Sequence, residues 1–146
     1  MDDLSLLHLA VRLVAEASIK ILAVRDAGFA VAHKSDASPV TLADTQAEAI
    51  ITQGLRASTP DIPVIAEEEV AAGRITTPSS TYWLVDPLDG TREFAANRRE
   101  FAVNIGLIRN GAPILGAVAS PAFDEIHSGL VGTGAWRRRS GITTPI

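Results

Sequence analysis

The chain has 146 residues and a formal charge of −4, so it presents no net basic field to draw in a nucleic-acid polymer. It contains no cysteine, which excludes disulfides and thiolate metal sites, and no apolar run near the roughly 20 residues that a transmembrane helix needs. Hydrophobic residues make up 47%, enough for one compact domain, since a chain of this size buries roughly 70% of its unfolded surface. Its acidic start, Met1-Asp2-Asp3, is unlike the basic head of a secretory leader, and a cytoplasmic location is expected.

In chain order, residues Asp3 to about Arg25 predict a helix. Leu4, Leu7, Val11 and Val14 recur at three- and four-residue steps, Ile21 and Leu22 rejoin the stripe, and Gly28 supplies a stop. Ala32 to Thr41 reads as a loop or short irregular hairpin around Ser38-Pro39. A second helix spans about Leu42 to Arg56, with Thr41 as its cap and Ala43, Ala47, Ile50, Ile51 and Leu55 facing inward. Val64-Ile65-Ala66 and Tyr82-Trp83-Leu84-Val85 are short strand candidates separated by a small-residue loop from Ala71 to Ser80. Strict alternation at Phe101, Val103, Ile105 and Leu107 marks a strand, Asn110-Gly111 a tight turn, and Ala112 to Ser120 the return. Asp124 to Val131 is a further strand, and Arg137-Arg138-Arg139 reads as a solvated strand edge or tail. Two helices followed by antiparallel strands predict an α+β layer with the helices on one sheet face.

Chemistry concentrates in Asp86-Pro87-Leu88-Asp89-Gly90-Thr91. Proline biases Asp86 toward an extended backbone and Gly90 permits a sharp turn, so both carboxylates and the carbonyl between them can converge on one point. Hard cations such as Mg²⁺ want that kind of oxygen-only shell. A short helix starting at Gly90 would aim the Gly90 and Thr91 amides at a phosphate and set the Thr91 hydroxyl beside the metal. Each piece also has a plain structural reading. Asp-Pro and Asp-Gly are common turns, Glu67-Glu68-Glu69 suits a solvated helix start, and Asp44 suits the first helical turn. His8, His33 and His127 show no ligand spacing, which argues against zinc.

The ordered set of Val40-Thr41-Leu42-Ala43-Asp44, Ile65-Ala66-Glu67-Glu68 and Trp83 through Thr91 resembles the inositol-monophosphatase superfamily, over most of the chain from Leu4 to Gly141. Lys34-Ser35-Asp36, Ser38 to Thr41, Arg92-Glu93-Phe94, Glu100 to Ile105 and Pro113 to Gly116 resemble its bisphosphate-nucleotidase branch. The resemblance implies the first half of a sugar-phosphatase α/β sandwich. It implies metal binding by Glu67, Asp86, Asp89 and the Leu88 carbonyl, and phosphate binding by Gly90 and Thr91. A water would be oriented by Thr91 with Asp44, with Glu67 in the catalytic set. The implied reaction is Mg²⁺-dependent, often lithium-sensitive removal of the 3′-phosphate from 3′-phosphoadenosine 5′-phosphate in sulfur metabolism, with no covalent intermediate.

Family members carry a later Trp-Asp-x-x-Ala signature, whereas Trp136 here precedes Arg137. The resemblance therefore implies that residues 1–146 form one domain, the amino-terminal metal- and phosphate-binding half of the fold. Two expectations follow: a face left for a second copy of the chain, and loss of one metal ligand. The alternatives are an inositol monophosphatase or sugar bisphosphatase, and a non-catalytic metal- and phosphate-binding or assembly module.

Overall fold

A computed structural model describes residues 1–34 and 39–146. Helix α1 (Asp3–Ala27) starts where the Asp2 carboxylate accepts the Ser5 amide at 2.8 Å. It stops at Gly28, whose φ of +83° few other residues adopt at low cost. Strands β1 (Val31–His33) and β2 (Pro39–Thr41) pair antiparallel, the hairpin alternative for that stretch. The residues 35–38 that join them, with Ser35, Asp36 and Ser38, lie outside the described residues. Helix α2 (Leu42–Ser58) opens with a capping box. The Thr41 hydroxyl accepts the Ala43 amide at 3.2 Å, and the Asp44 carboxylate accepts the Thr41 amide at 2.8 Å.

The remaining chain builds a sheet around two short helices. Strand β3 (Val64–Ala66) leads into α3 (Glu67–Ala71), and β4 (Thr81–Asp89) into α4 (Thr91–Ala95). Strands β5 (Ala102–Arg109), β6 (Ala112–Ser120), β7 (Glu125–Leu130), β8 (Gly134–Arg139) and β9 (Ile142–Pro145) follow as a meander. Spatial order equals chain order across the seven strands. Every pair is antiparallel except β3 and β4, whose crossover through α3 makes them parallel. The β5–β6 turn has positive φ at both Asn110 (51°) and Gly111 (78°), the backbone that the Asn-Gly pair favours.

Helices α1 and α2 pack together over one face of this sheet. The core between them joins Leu13, Ala17, Ile51 and Leu55 to Trp83, Val103, Ile105, Leu107 and Ala117, all essentially inaccessible. Full burial of each large apolar side chain contributes about 1.5–3 kcal/mol. The helices approach closely at Gly54, where a Cβ would sit 2.4 Å from Leu13 Cδ2. Two sequence expectations need correction. The buried face of α1 is wider than the predicted stripe: Leu7, Val14 and Ile21 are buried as expected, but so are Leu6, Leu9, Ala10, Leu13 and Ala17, while Leu4 is exposed and Val11 only half-buried, because α1 packs on both α2 and the sheet. The arginine run is not an edge: β8 lies between β7 and β9.

Candidate active site

The site forms where β4 leaves regular pairing. From Thr81 to Asp86 the strand runs in register with β5, Asp86 opposite Asn104. The next paired residue is Asp89 opposite Ala102, one residue more on β4 than on its partner. This is a β-bulge. Alternation would place residues three apart on opposite faces. Instead Pro87 and Leu88 are consecutively buried, the phase flips, and Asp86 and Asp89 lie on the same, outer face. The Asp86 carboxylate also accepts the Leu88 amide at 3.2 Å, a local turn that stabilises the bend.

Gly90 then turns the chain into α4 with φ of +93°. A Cβ there would lie 2.7 Å from the Glu100 carbonyl, so both the conformation and the space demand glycine. On α4, the Thr91 hydroxyl lies 2.8 Å from Asp44 Oδ1 and 3.1 Å from the Leu88 carbonyl. Its single proton goes to the carboxylate, the stronger acceptor. Asp44 is 1% exposed, and its other oxygen holds the Thr41 amide and hydroxyl. Asp44 is thus both the helix-capping residue and the partner of Thr91.

The acidic triplet likewise serves twice. Glu67, Glu68 and Glu69 do start a helix, and the first of them reaches the site. Asp86 is pushed up to about 7, first by burial, then by a hydrogen bond shared with Glu67 and by the charges of Glu67 and Asp89; the Leu88 amide opposes the rise. Lys34 Nζ stands 3.0 Å from Glu67 Oε1 and 2.7 Å from Glu68 Oε1. Burial works against its charge, and the hydrogen bonds to Glu68 and Glu67 outweigh that, so its pKa is raised. A cavity of about 290 Å³ collects Lys34, Glu67, Asp86, Leu88, Asp89, Gly90, Thr91, Arg92 and Glu93.

Six of the seven sequence-derived positions therefore line one cavity, and the seventh, Asp44, joins it through Thr91. Among the described residues, no three His, Cys, Asp or Glu side chains are already gathered closely enough to hold a metal. The donor chemistry still suits a hard cation. Glu67, Asp86, Asp89 and Glu93 line one cavity with Leu88, and the Asp86 carboxyl, raised first by burial and then by Glu67 and Asp89, has negative neighbours that a divalent ion would neutralise.

Two further residues bear on the site. Lys34, named in the sequence only as part of a branch motif, lies in a polar stretch with nothing to show where its ammonium reaches. Glu48, 4% exposed, accepts the Glu68 amide at 2.6 Å and the Glu69 amide at 2.9 Å, tying α3 to α2. Its signal was present: an acidic residue one turn after Asp44, on the face of α2 that carries Ala47 and Ile51.

A bulged strand end thus brings carboxylates beside a glycine-threonine turn on a helix-backed sheet. Comparison with known proteins shows the family to which this fold belongs. A family model for the inositol monophosphatase family matches residues 2–144, and the chain belongs to that family. The 3′(2′),5′-bisphosphate nucleotidase CysQ of Escherichia coli O6:H1 is 47% identical over 116 residues, 80% of this chain and 47% of that protein. The structure of CysQ from Bacteroides thetaiotaomicron superposes with a TM-score of 0.73 at 33% identity, over 93% of this chain and 49% of that one. The extragenic suppressor protein suhB of Bartonella henselae gives 0.80 at 27% identity, over 92% of this chain and 53% of that one. The chain spans about half the length of the curated relatives it matches.

Proposed function

We propose that this chain carries the metal- and phosphate-binding half of a Mg²⁺-dependent 3′(2′),5′-bisphosphate nucleotidase that removes the 3′-phosphate of 3′-phosphoadenosine 5′-phosphate in cytoplasmic sulfur metabolism. The observation that carries the reading is the Thr91 hydroxyl, held by Asp44 on the cavity that Glu67, Asp86, Asp89 and the Leu88 carbonyl share. The identity to CysQ supports the nucleotidase branch over inositol or sugar phosphatases. No helix among the described residues is long and apolar enough to cross a membrane.

Glu67, Asp86, Asp89 and the Leu88 carbonyl would hold Mg²⁺, which supplies Lewis-acid activation of water and neutralises charge on the phosphoryl group. The chain's own residues do the rest. Because the Thr91 hydroxyl donates its proton to Asp44, its oxygen lone pairs are left to accept a hydrogen bond from water, which fixes that water's orientation for in-line attack. The Gly90 and Thr91 amides hold the phosphate, and Lys34 and Arg92, on the same cavity, add positive charge around it. Self-association is proposed through the outer sheet face, where Leu84 is 41% and Val118 39% exposed. Sedimentation as a monomer at high concentration would contradict that part.

Phosphate release from 3′-phosphoadenosine 5′-phosphate with Mg²⁺, beside inositol 1-phosphate and fructose 1,6-bisphosphate, tests the reading, with Asp89→Asn as the blank. Preferred turnover of the nucleotide, abolished by the substitution, is expected. Preference for another substrate would overturn the branch. A folded chain that binds the nucleotide without turnover would favour the non-catalytic module.

A further inference from the structure

Helix α4 carries Thr91 yet has only five residues, too few to stand alone, and no side chain caps its start. The Thr91 hydroxyl fixes one end. At the other end, Arg25 comes from the last turn of α1. Its guanidinium lies 4.5 Å from the ring centroids of both Phe94 and Phe101, and its Nη2 donates to the Phe94 carbonyl at 2.8 Å. The two rings meet edge-on with centroids 5.3 Å apart, and Phe29 stacks on Phe94 at 4.8 Å.

Filling space does not explain this choice of side chain. Arg25 Nε is buried with no hydrogen-bond partner among the described residues, and burial lowers the residue's pKa. A methionine of similar length would fill the slot without that desolvation. What the guanidinium adds is direction: a flat cation ordered against both rings, with one donor on a carbonyl at the end of α4. A cation there also complements the helix dipole. Phe101 extends the hold, because its Cα would lie 3.1 Å from a Cβ at Gly90, so the turn that starts α4 rests on the same residue.

We propose that Arg25 is a positioning residue for the site: packed against both Phe94 and Phe101 and bonded to the Phe94 carbonyl, it fixes α4 and through it the Thr91 hydroxyl. Its effect on turnover rests on the proposed role of Thr91, whereas its effect on α4 does not.

The experiment compares Arg25→Met and Arg25→Lys with the unsubstituted chain by amide hydrogen exchange and by the NMR signal of the Thr91 methyl group. In Arg25→Met, exchange at Phe94 and Ala96 rises about tenfold relative to the β5–β6 amides. The Thr91 methyl signal also shifts, although Arg25 makes no hydrogen bond to it. Arg25→Lys keeps the charge without the planar fork and recovers only part of both. With the nucleotide substrate, kcat falls about tenfold in Arg25→Met while KM stays within about twofold, as expected for a lost orientation rather than lost binding. Unchanged exchange in α4, or an equal rise across β5 and β6, overturns the proposal. Absence of turnover in the unsubstituted chain favours the non-catalytic module instead, and the exchange and methyl signals still decide the positioning claim.

Discussion

Between Thr81 and Val85, β4 pairs in continuous register with β5 and alternates buried Trp83 and Val85 with more accessible neighbours; between Asp86 and Asp89 it bulges and buries two residues in succession. The first end belongs to the core, where the Trp83 indole N–H donates at 3.1 Å to the hydroxyl of Thr59, the residue that ends α2. The second end belongs to the site, where Asp86 and Asp89 line one cavity with Glu67 and Glu93, and the burial and crowding of the Asp86 charge oppose folding. One strand thus holds stabilising and destabilising halves, and the extra residue at the bulge separates them.

Substitutions at the two ends should behave oppositely. Trp83→Ala should cost the most, about 3–5 kcal/mol of unfolding free energy, read by denaturant titration. Next comes Thr91→Val, which keeps the shape and removes the hydroxyl. It should cost about 1–3 kcal/mol of stability, because the buried Asp44 Oδ1 loses its donor, and lower kcat by about 100-fold with little change in KM. Asp86→Asn should reverse the sign seen at Trp83. In chelator it should stabilise the fold by about 1 kcal/mol, because it removes a half-buried carboxylate crowded by Glu67 and Asp89, and it should abolish stabilisation by Mg²⁺.

Sequence legibility divides along the same line. The β5–β6 hairpin was readable because alternation and Asn110-Gly111 are local signals. The capping box was readable at Thr41, three residues before Asp44. The ingredients of the site were visible too, since Asp86 through Thr91 form one contiguous stretch. The device that makes them a site was not. A bulge is a relation between β4 and β5, and nothing within β4 alone says that Pro87 and Leu88 both turn inward. Lys34 and Glu48 were hidden for the same reason, because each acts on α3 from a distant part of the chain. Strand β8 reads in sequence only as an edge or tail and β9 not at all, because a polar, half-buried β8 and an exposed β9 carry little hydrophobic pattern.

The smallest expected effect is a pH dependence. Asp86 has its folded pKa raised from 3.8 to about 7, so the folded state binds the extra proton between those values. Stability in chelator should therefore be fullest near the lower value and fall as pH rises toward the upper one. Asp86→Asn or saturating Mg²⁺ should flatten that slope, and an unchanged slope in Asp86→Asn would assign it to another group.

If the bulge of β4 builds a cation site beside Thr91, anomalous diffraction from crystals soaked in Mn²⁺, a surrogate for Mg²⁺, should show it. A peak is expected within coordination distance of Glu67, Asp86, Asp89 and the Leu88 carbonyl. A chain whose metal peaks all lie elsewhere, or which shows none at saturating Mn²⁺, would contradict it.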